Sequence, residues 1–143
     1  MNDKRLTEDP RIKGDLAELK VIEWCLQKGY TPLTPFGGAN NCRYDVAYDD
    51  GQSIKRVQVK CRSLYDDKLS LTLIKQQNGR PDKVLKYGKN EFDKFFVYCP
   101  DTNKLYDIPF SLFGENSGLV FRNSPPKNNQ KIGVKMLNDY LLT

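Results

Sequence analysis

The 143 residues contain no histidine. That gap removes Ser-His-Asp and Cys-His nucleophile systems, His-ligated zinc, and any nuclease mechanism whose base is an imidazole. Chemistry here has to come from carboxylates, lysine, tyrosine or a hard metal ion. Cysteine is sparse and scattered: Cys25, Cys42, Cys61 and Cys99 form no C-x-x-C pair, which argues against a four-thiolate zinc site. Cys25, Cys61 and Cys99 lie in apolar runs and read as core residues. Long apolar runs are also missing. No stretch approaches the roughly 20 residues that span a bilayer, and Met1 to Pro10 is polar and charged rather than signal-like. The expectation is a reduced, cytoplasmic protein with no membrane partner.

A chain of this length has room for one domain with one core. Hydrophobic residues make up 38% and aromatics 11%, which argues against disorder. Against 18 Asp and Glu stand 23 Lys and Arg, a net charge of +5. The excess is mild and suits a negatively charged partner, nucleic acid above all.

Gly14 to Lys28 predicts a helix, with Asp15 in its first turn and Gly29 at its stop. The Pro- and Gly-rich stretch Thr31 to Asn41 cannot continue it. Tyr44 to Tyr48 alternates, with Tyr44, Val46 and Tyr48 on one face. Asp49-Asp50-Gly51 is a turn signal, and Ile54 to Ser63 is a second strand, so the pair reads as a hairpin. Leu69, Leu71 and Leu73 mark a third strand, and Phe95 to Cys99 a fourth, apolar enough to be central. Lys104 to Ile108 and Leu119 to Phe121 are further strands, Pro109 to Phe113 a helical turn, Asn123 to Asn129 a loop and Lys131 to Leu142 a terminal helix. One helix, several strands and mixed later elements imply an α/β or α+β domain with a mixed sheet.

Side chains alternate across a strand, so Val57, Val59 and Cys61 share an apolar face while Arg56, Gln58, Lys60 and Arg62 share the other. With the turn at Asp50-Gly51, Asp45 faces Arg56 to Gln58. Cross-strand neighbours lie within about 8 Å, which brings an acid, an amide and a lysine to one side of a rigid ribbon. At roughly 100° per residue, Glu18 falls with Ile22 and Cys25 on the apolar side of the helix, opposite Lys20, Glu23 and Gln27. A carboxylate there needs a partner or a metal, and a buried capping or salt-bridged acid is as good a reading as a ligand. Two carboxylates, an amide oxygen and main-chain carbonyls make a hard-cation site suited to Mg²⁺.

This arrangement resembles the PD-(D/E)XK nuclease superfamily, through Glu18 on the first helix, Asp45 near the hairpin start and Gln58-Val59-Lys60 on the second strand. The resemblance implies a restriction-endonuclease-like mixed β-sheet flanked by helices in a single domain, with a core of about 14–110 and a C-terminal extension, 111–143. It implies Glu18, Asp45, Gln58 and the Val59 carbonyl as metal ligands for Mg²⁺, with Mn²⁺ as a substitute, and Lys60 as the catalytic lysine. Gln58 departs from the usual acid; it keeps an oxygen donor and loses a negative charge. Gly14-Asp15-Leu16-Ala17-Glu18, Gly29-Tyr30, Pro35-Phe36-Gly37, Arg43-Tyr44-Asp45, Phe95 to Pro100, Tyr106 and Pro109 are similar to the small homing endonucleases encoded in cyanobacterial group I introns. That group cuts both strands of a long, roughly palindromic DNA and works as a dimer or tetramer. A double-strand cut needs two active sites, so one small domain implies at least a dimer.

Lys75 to Lys94 is rich in Lys, Arg and amides and reads either as a solvated loop or as a DNA-contacting ribbon. On the second reading Lys75, Gln76, Gln77, Asn78, Arg80, Lys83 and Lys86 contact DNA, with Arg56, Arg62 and Lys68 adding phosphate contacts near the site. The Phe36-Gly37-Gly38-Ala39 loop is either a plain connection or a close approach to the DNA backbone. The expected activity is sequence-specific endonucleolytic cleavage of double-stranded DNA. Rivals are a Holliday junction resolvase, a restriction enzyme, and a DNA-binding module in which Gln58 marks lost catalysis.

Overall fold

The computed structural model describes residues 8–37, 42–72, 74–77, 80–86, 91–113, 118–128 and 133–143. Helix α1 runs Pro10–Lys28. It starts one turn before Gly14, because the Asp9 carboxylate accepts the Arg11 N–H at 2.9 Å and Pro10 occupies the first helical position. Asp15 therefore lies inside the helix, not in its first turn. Gly29 stops it as expected: at φ 75° its N–H reaches the Leu26 carbonyl, and Tyr30 N reaches that of Cys25.

Strands β1 (Thr31–Leu33), β2 (Val46–Asp49), β3 (Ile54–Cys61), β7 (Lys94–Cys99) and β8 (Lys104–Asp107) form one sheet in the order β1-β2-β3-β7-β8. β3 and β7 are parallel and the other pairs antiparallel, so the sheet is mixed. In the β2–β3 hairpin Val46 pairs with Val57 and Asp49 with Ile54. β3 and β7 lie inside the sheet, as the apolar run Phe95–Cys99 suggested.

α1 covers one face. Ala17, Val21 and Cys25 are fully buried against Val46, Tyr48, Val57, Val59, Phe96 and Tyr98. Trp24 meets Tyr30, Tyr48 and Phe96 edge-on, with ring centroids 5.4 to 5.7 Å apart. The outer side of α1, expected to be a polar stripe, also exposes Leu19 and Leu26.

The second face is covered by strands. Phe95, Val97, Cys99, Tyr106 and Ile108 join Leu69 and Leu71 of β4 (Lys68–Thr72) and Leu119 and Phe121 of β9 (Gly118–Arg122), which pair antiparallel as a small second sheet. Flanking helices thus become a helix on one side and a strand pair on the other. The segment 111–143, an extension in the sequence reading, supplies Phe113, Leu119, Phe121 and Leu137 to this cluster. Tyr44, expected beside Val46 and Tyr48, packs against this second cluster instead. β5 (Ile74–Gln77) and β6 (Arg80–Lys86) form a separate antiparallel ribbon whose register shifts between Gln76 and Gln77. Leu73 lies outside the described residues.

The expected terminal helix from Lys131 to Leu142 is absent over its described part. Gly133 takes a left-handed φ of 75°, and helical structure is limited to a 3₁₀ turn, Leu137–Tyr140. The chain then runs along β8, with Leu141 bridged to Tyr106 and Leu142 N donating to the Leu105 carbonyl at 2.9 Å. Among the described residues no helix is long and apolar enough to cross a membrane.

Candidate active site

The open end of the β2–β3 hairpin holds the four residues singled out in the sequence. Asp45 sits one residue before β2, and its N–H donates to the Val57 carbonyl at 3.0 Å, so the ladder fixes its backbone. Its Oδ2 accepts two bonds, from Gln58 Nε2 at 2.7 Å and from the Val59 N–H at 2.8 Å. The side chain thereby continues the ladder where β2 has ended.

Among the described residues Gln58 is the one buried residue with an amide or charged side chain, 6% exposed. Alternation put it on a polar face with Arg56, Lys60 and Arg62, which are half-buried, and Gln58 is the member of that face that is fully enclosed. An ionised carboxylate can only accept hydrogen bonds, so the amide nitrogen must face Asp45. The amide oxygen remains as the side chain's other polar atom, a hard donor. Arg56 and Arg62 direct their backbone groups to the β7 side: Arg56 O accepts from Asp93 N, and Arg62 N donates to Tyr98 O. Backbone polar groups alternate along a strand, so Val59 turns both its N–H and its C=O toward Asp45.

Glu18, half-buried on α1, is drawn into the same site. Burial first, then the negative charges of Asp45 and Asp15, push its carboxyl up to about 7. The Asp45 contribution places the two acids within electrostatic reach of each other. Lys60, half-buried, lies two residues from Gln58 and so on the same face of β3.

These donors fit a hard divalent cation. Asp45 carries the Gln58 amide and the Val59 backbone on its carboxylate, and the half-buried Glu18, raised by burial and then by the charge of Asp45, lies within electrostatic reach, so the site combines two carboxylates with an amide oxygen and a main-chain carbonyl on the neighbouring strand. Among the described residues no three His, Cys, Asp or Glu side chains cluster as metal ligands. The cysteines are free thiols, with Cys25 and Cys99 buried as core residues.

A sequence model of the PD-(D/E)XK endonucleases matches residues 8–143. The chain belongs to the PD-(D/E)XK endonuclease family. Its fold agrees with a solved structure described as a bacterial homing endonuclease, I-Ssp6803I, at a TM-score of 0.73 and 21% identity, over 92% of this chain and 87% of that one. The restriction-endonuclease-like α+β fold is thus established. No curated protein sequence matches the chain.

The cations proposed for DNA have varied places in this PD-(D/E)XK fold. Arg56 forms a two-pronged pair with Asp93, Nε–Oδ2 and Nη2–Oδ1 both at 3.2 Å, and holds that carboxyl below its ordinary range. Asp93 Oδ2 also accepts the Arg56 N–H at 2.8 Å, so the pair ties β3 to the start of β7. Arg62 Nη1 donates to the Cys61 carbonyl at 2.9 Å, and Lys68 Nζ lies 3.8 Å from Asp66. Lys75, Gln76 and Gln77 belong to β5 and Arg80, Lys83 and Lys86 to β6, so this segment is a ribbon. Asn78, Gly38 and Ala39 lie outside the described residues. The sequence reading did not single out Asp93; its only signal was an acid just before a central strand.

Proposed function

We propose that this PD-(D/E)XK endonuclease is a Mg²⁺-dependent, sequence-specific enzyme that breaks both strands of DNA as a homo-oligomer. The observation that carries the reading is the Asp45 carboxylate, locked by Gln58 Nε2 and Val59 N with Glu18 beside it. A bound divalent cation supplies charge to the scissile phosphate and acidifies a water. Asp45, Glu18, the Gln58 amide oxygen and the Val59 carbonyl are the groups that hold it. Lys60 orients the attacking water or meets the charge that grows on the phosphoryl oxygens. The β5–β6 ribbon carries the contacts to groove and backbone, and Arg62 and Lys68 add phosphate contacts.

The test is nicking and linearisation of supercoiled plasmid by the wild-type chain in Mg²⁺, in EDTA, and by Lys60→Ala in Mg²⁺. Activity in EDTA, or a Lys60→Ala variant as fast as wild type, sinks the proposal. A homing role follows from the structural neighbour's description and is separated from junction resolution by offering four-way junctions beside linear duplexes.

A further inference from the structure

The large apolar side chains left in solvent are not spread evenly. Among the described residues Phe36 is 103% exposed and Tyr65 88%, while the next, Leu26, reaches only 63%. Isolated exposed apolar residues are ordinary, but two nearly bare aromatic rings at one end of a sheet are not. Leu33 of β1 pairs with Ala47, two residues past Asp45, and Phe36 follows Leu33 by three residues. Tyr65 follows Cys61, the last residue of β3, by four. At roughly 3.3 Å per residue, the backbone of each lies within about 10 to 13 Å of the end of its own strand, β1 or β3, at the end of the sheet where Asp45 and Lys60 also lie.

Phe36 stands between Pro35 and Gly37, whose φ is 81°. Tyr65 opens a tight turn closed by Tyr65 N to Lys68 O at 2.9 Å and Lys68 N to Tyr65 O at 3.0 Å. Its central residues, Asp66 and Asp67, take left-handed φ values of 50° and 57°, a strained choice for residues with side chains. Asn123 holds the turn in place, donating through its backbone N–H to Asp67 O and through Nδ2 to Asp67 Oδ1, both at 3.0 Å. These bonds fix the backbone from which the Tyr65 ring projects.

We propose that Phe36 and Tyr65 are apolar wedges that enter base steps on either side of the scissile phosphate and part the stack there. The proposal rests on the nuclease reading and adds to it two DNA-contacting residues with a defined job. A wedge has to open the stack it enters, so it binds best where stacking is already broken. It adds no positive charge, so it leaves the salt dependence of binding unchanged.

The test measures binding in Ca²⁺ to two 40-base-pair duplexes, one fully paired and one with a two-base mismatch. Wild type, Phe36→Ala, Tyr65→Ala, the double variant and a Leu26→Ala control on the outer face of α1 are titrated over a range of salt. Wild type and the control are expected to prefer the mismatched duplex by about tenfold, and the double variant to lose that preference at an unchanged salt slope. Unaltered melting temperatures confirm that these exposed positions leave the fold intact. A wild type without preference, or a double variant that keeps it or loses salt dependence instead, overturns the proposal. Plasmid nicking by wild type in Mg²⁺ judges the nuclease reading separately, because the wedges can fail while cleavage persists.

Discussion

Both ends of the β2–β3 hairpin use aspartate to accept backbone N–H groups, yet the two ends differ in kind. At the closed end Asp49 Oδ1 accepts Gly51 N at 2.8 Å, and Asp50 Oδ1 accepts Gln52 N and Ser53 N at 2.8 and 2.9 Å. Water solvates these acids, and the N–H bonds hold the Asp50 carboxyl below its ordinary range. They shape a turn. At the open end Asp45 makes the same kind of bonds, but a second acid, the half-buried Glu18, lies within electrostatic reach. One motif in water is a folding device. With solvent withdrawn and a like charge added, it becomes a place that calls for a cation.

Removing the open end's charges tests that contrast most sharply. Asp45→Asn and Lys60→Ala are each expected to slow plasmid cleavage by about 10²- to 10³-fold or more, while duplex binding in Ca²⁺ stays within a few-fold of wild type. Gln58→Glu replaces the donor facing Asp45 with a third acid. The metal-free protein should lose roughly 1–3 kcal/mol in urea unfolding at pH 7 and gain more from Mg²⁺ than wild type does. If its stability is unchanged in EDTA, the 2.7 Å bond is not what quiets the site.

Glu18 predicts a pH signature. Its carboxyl titrates near 7 when folded against an ordinary value of 4.5, so the folded state holds the extra proton. Stability in EDTA should be fully present below about pH 4.5 and fall as pH rises through 7. Glu18→Gln should remove this component, and Mg²⁺ should oppose it by binding the ionised form. Urea midpoints from pH 4 to 8 with and without Mg²⁺ decide the matter, and equal slopes for wild type and variant rule it out. The smallest effect belongs to the closed end. Asp50→Ala should lower the urea midpoint slightly and leave cleavage untouched; a loss of cleavage would mean the two ends are coupled.

What could be read from residues alone followed how local the cause was. Gly29 as a stop, the Asp50-Gly51 turn and the alternation through Gln58 and Lys60 are short-range, and all appear in the fold. Asp9 before Pro10 is an equally local signal, and it starts the helix one turn before Gly14. The β4–β9 pairing joins Lys68 to Arg122, and no period along the chain records such a partner. Nor does any period along the chain record the burial of Gln58 on an otherwise half-exposed polar face. The terminal segment kept a helix-like pattern but spends its last residues pairing with β8, a long-range contact that overrides local preference.

Neither border of the main sheet is open to another strand. β1 is three residues long with Pro32 at its centre, which offers no N–H, and β8 is already occupied by Leu141 and Leu142. Among the described residues, the borders of the main sheet therefore offer little for copies of this chain to associate by extending that sheet. Any symmetric assembly has to be built from helix surfaces, loops or the β5–β6 ribbon, so the spacing between its cutting centres is set by those parts and not by the 4.8 Å ladder of strands, about the figure for any sheet.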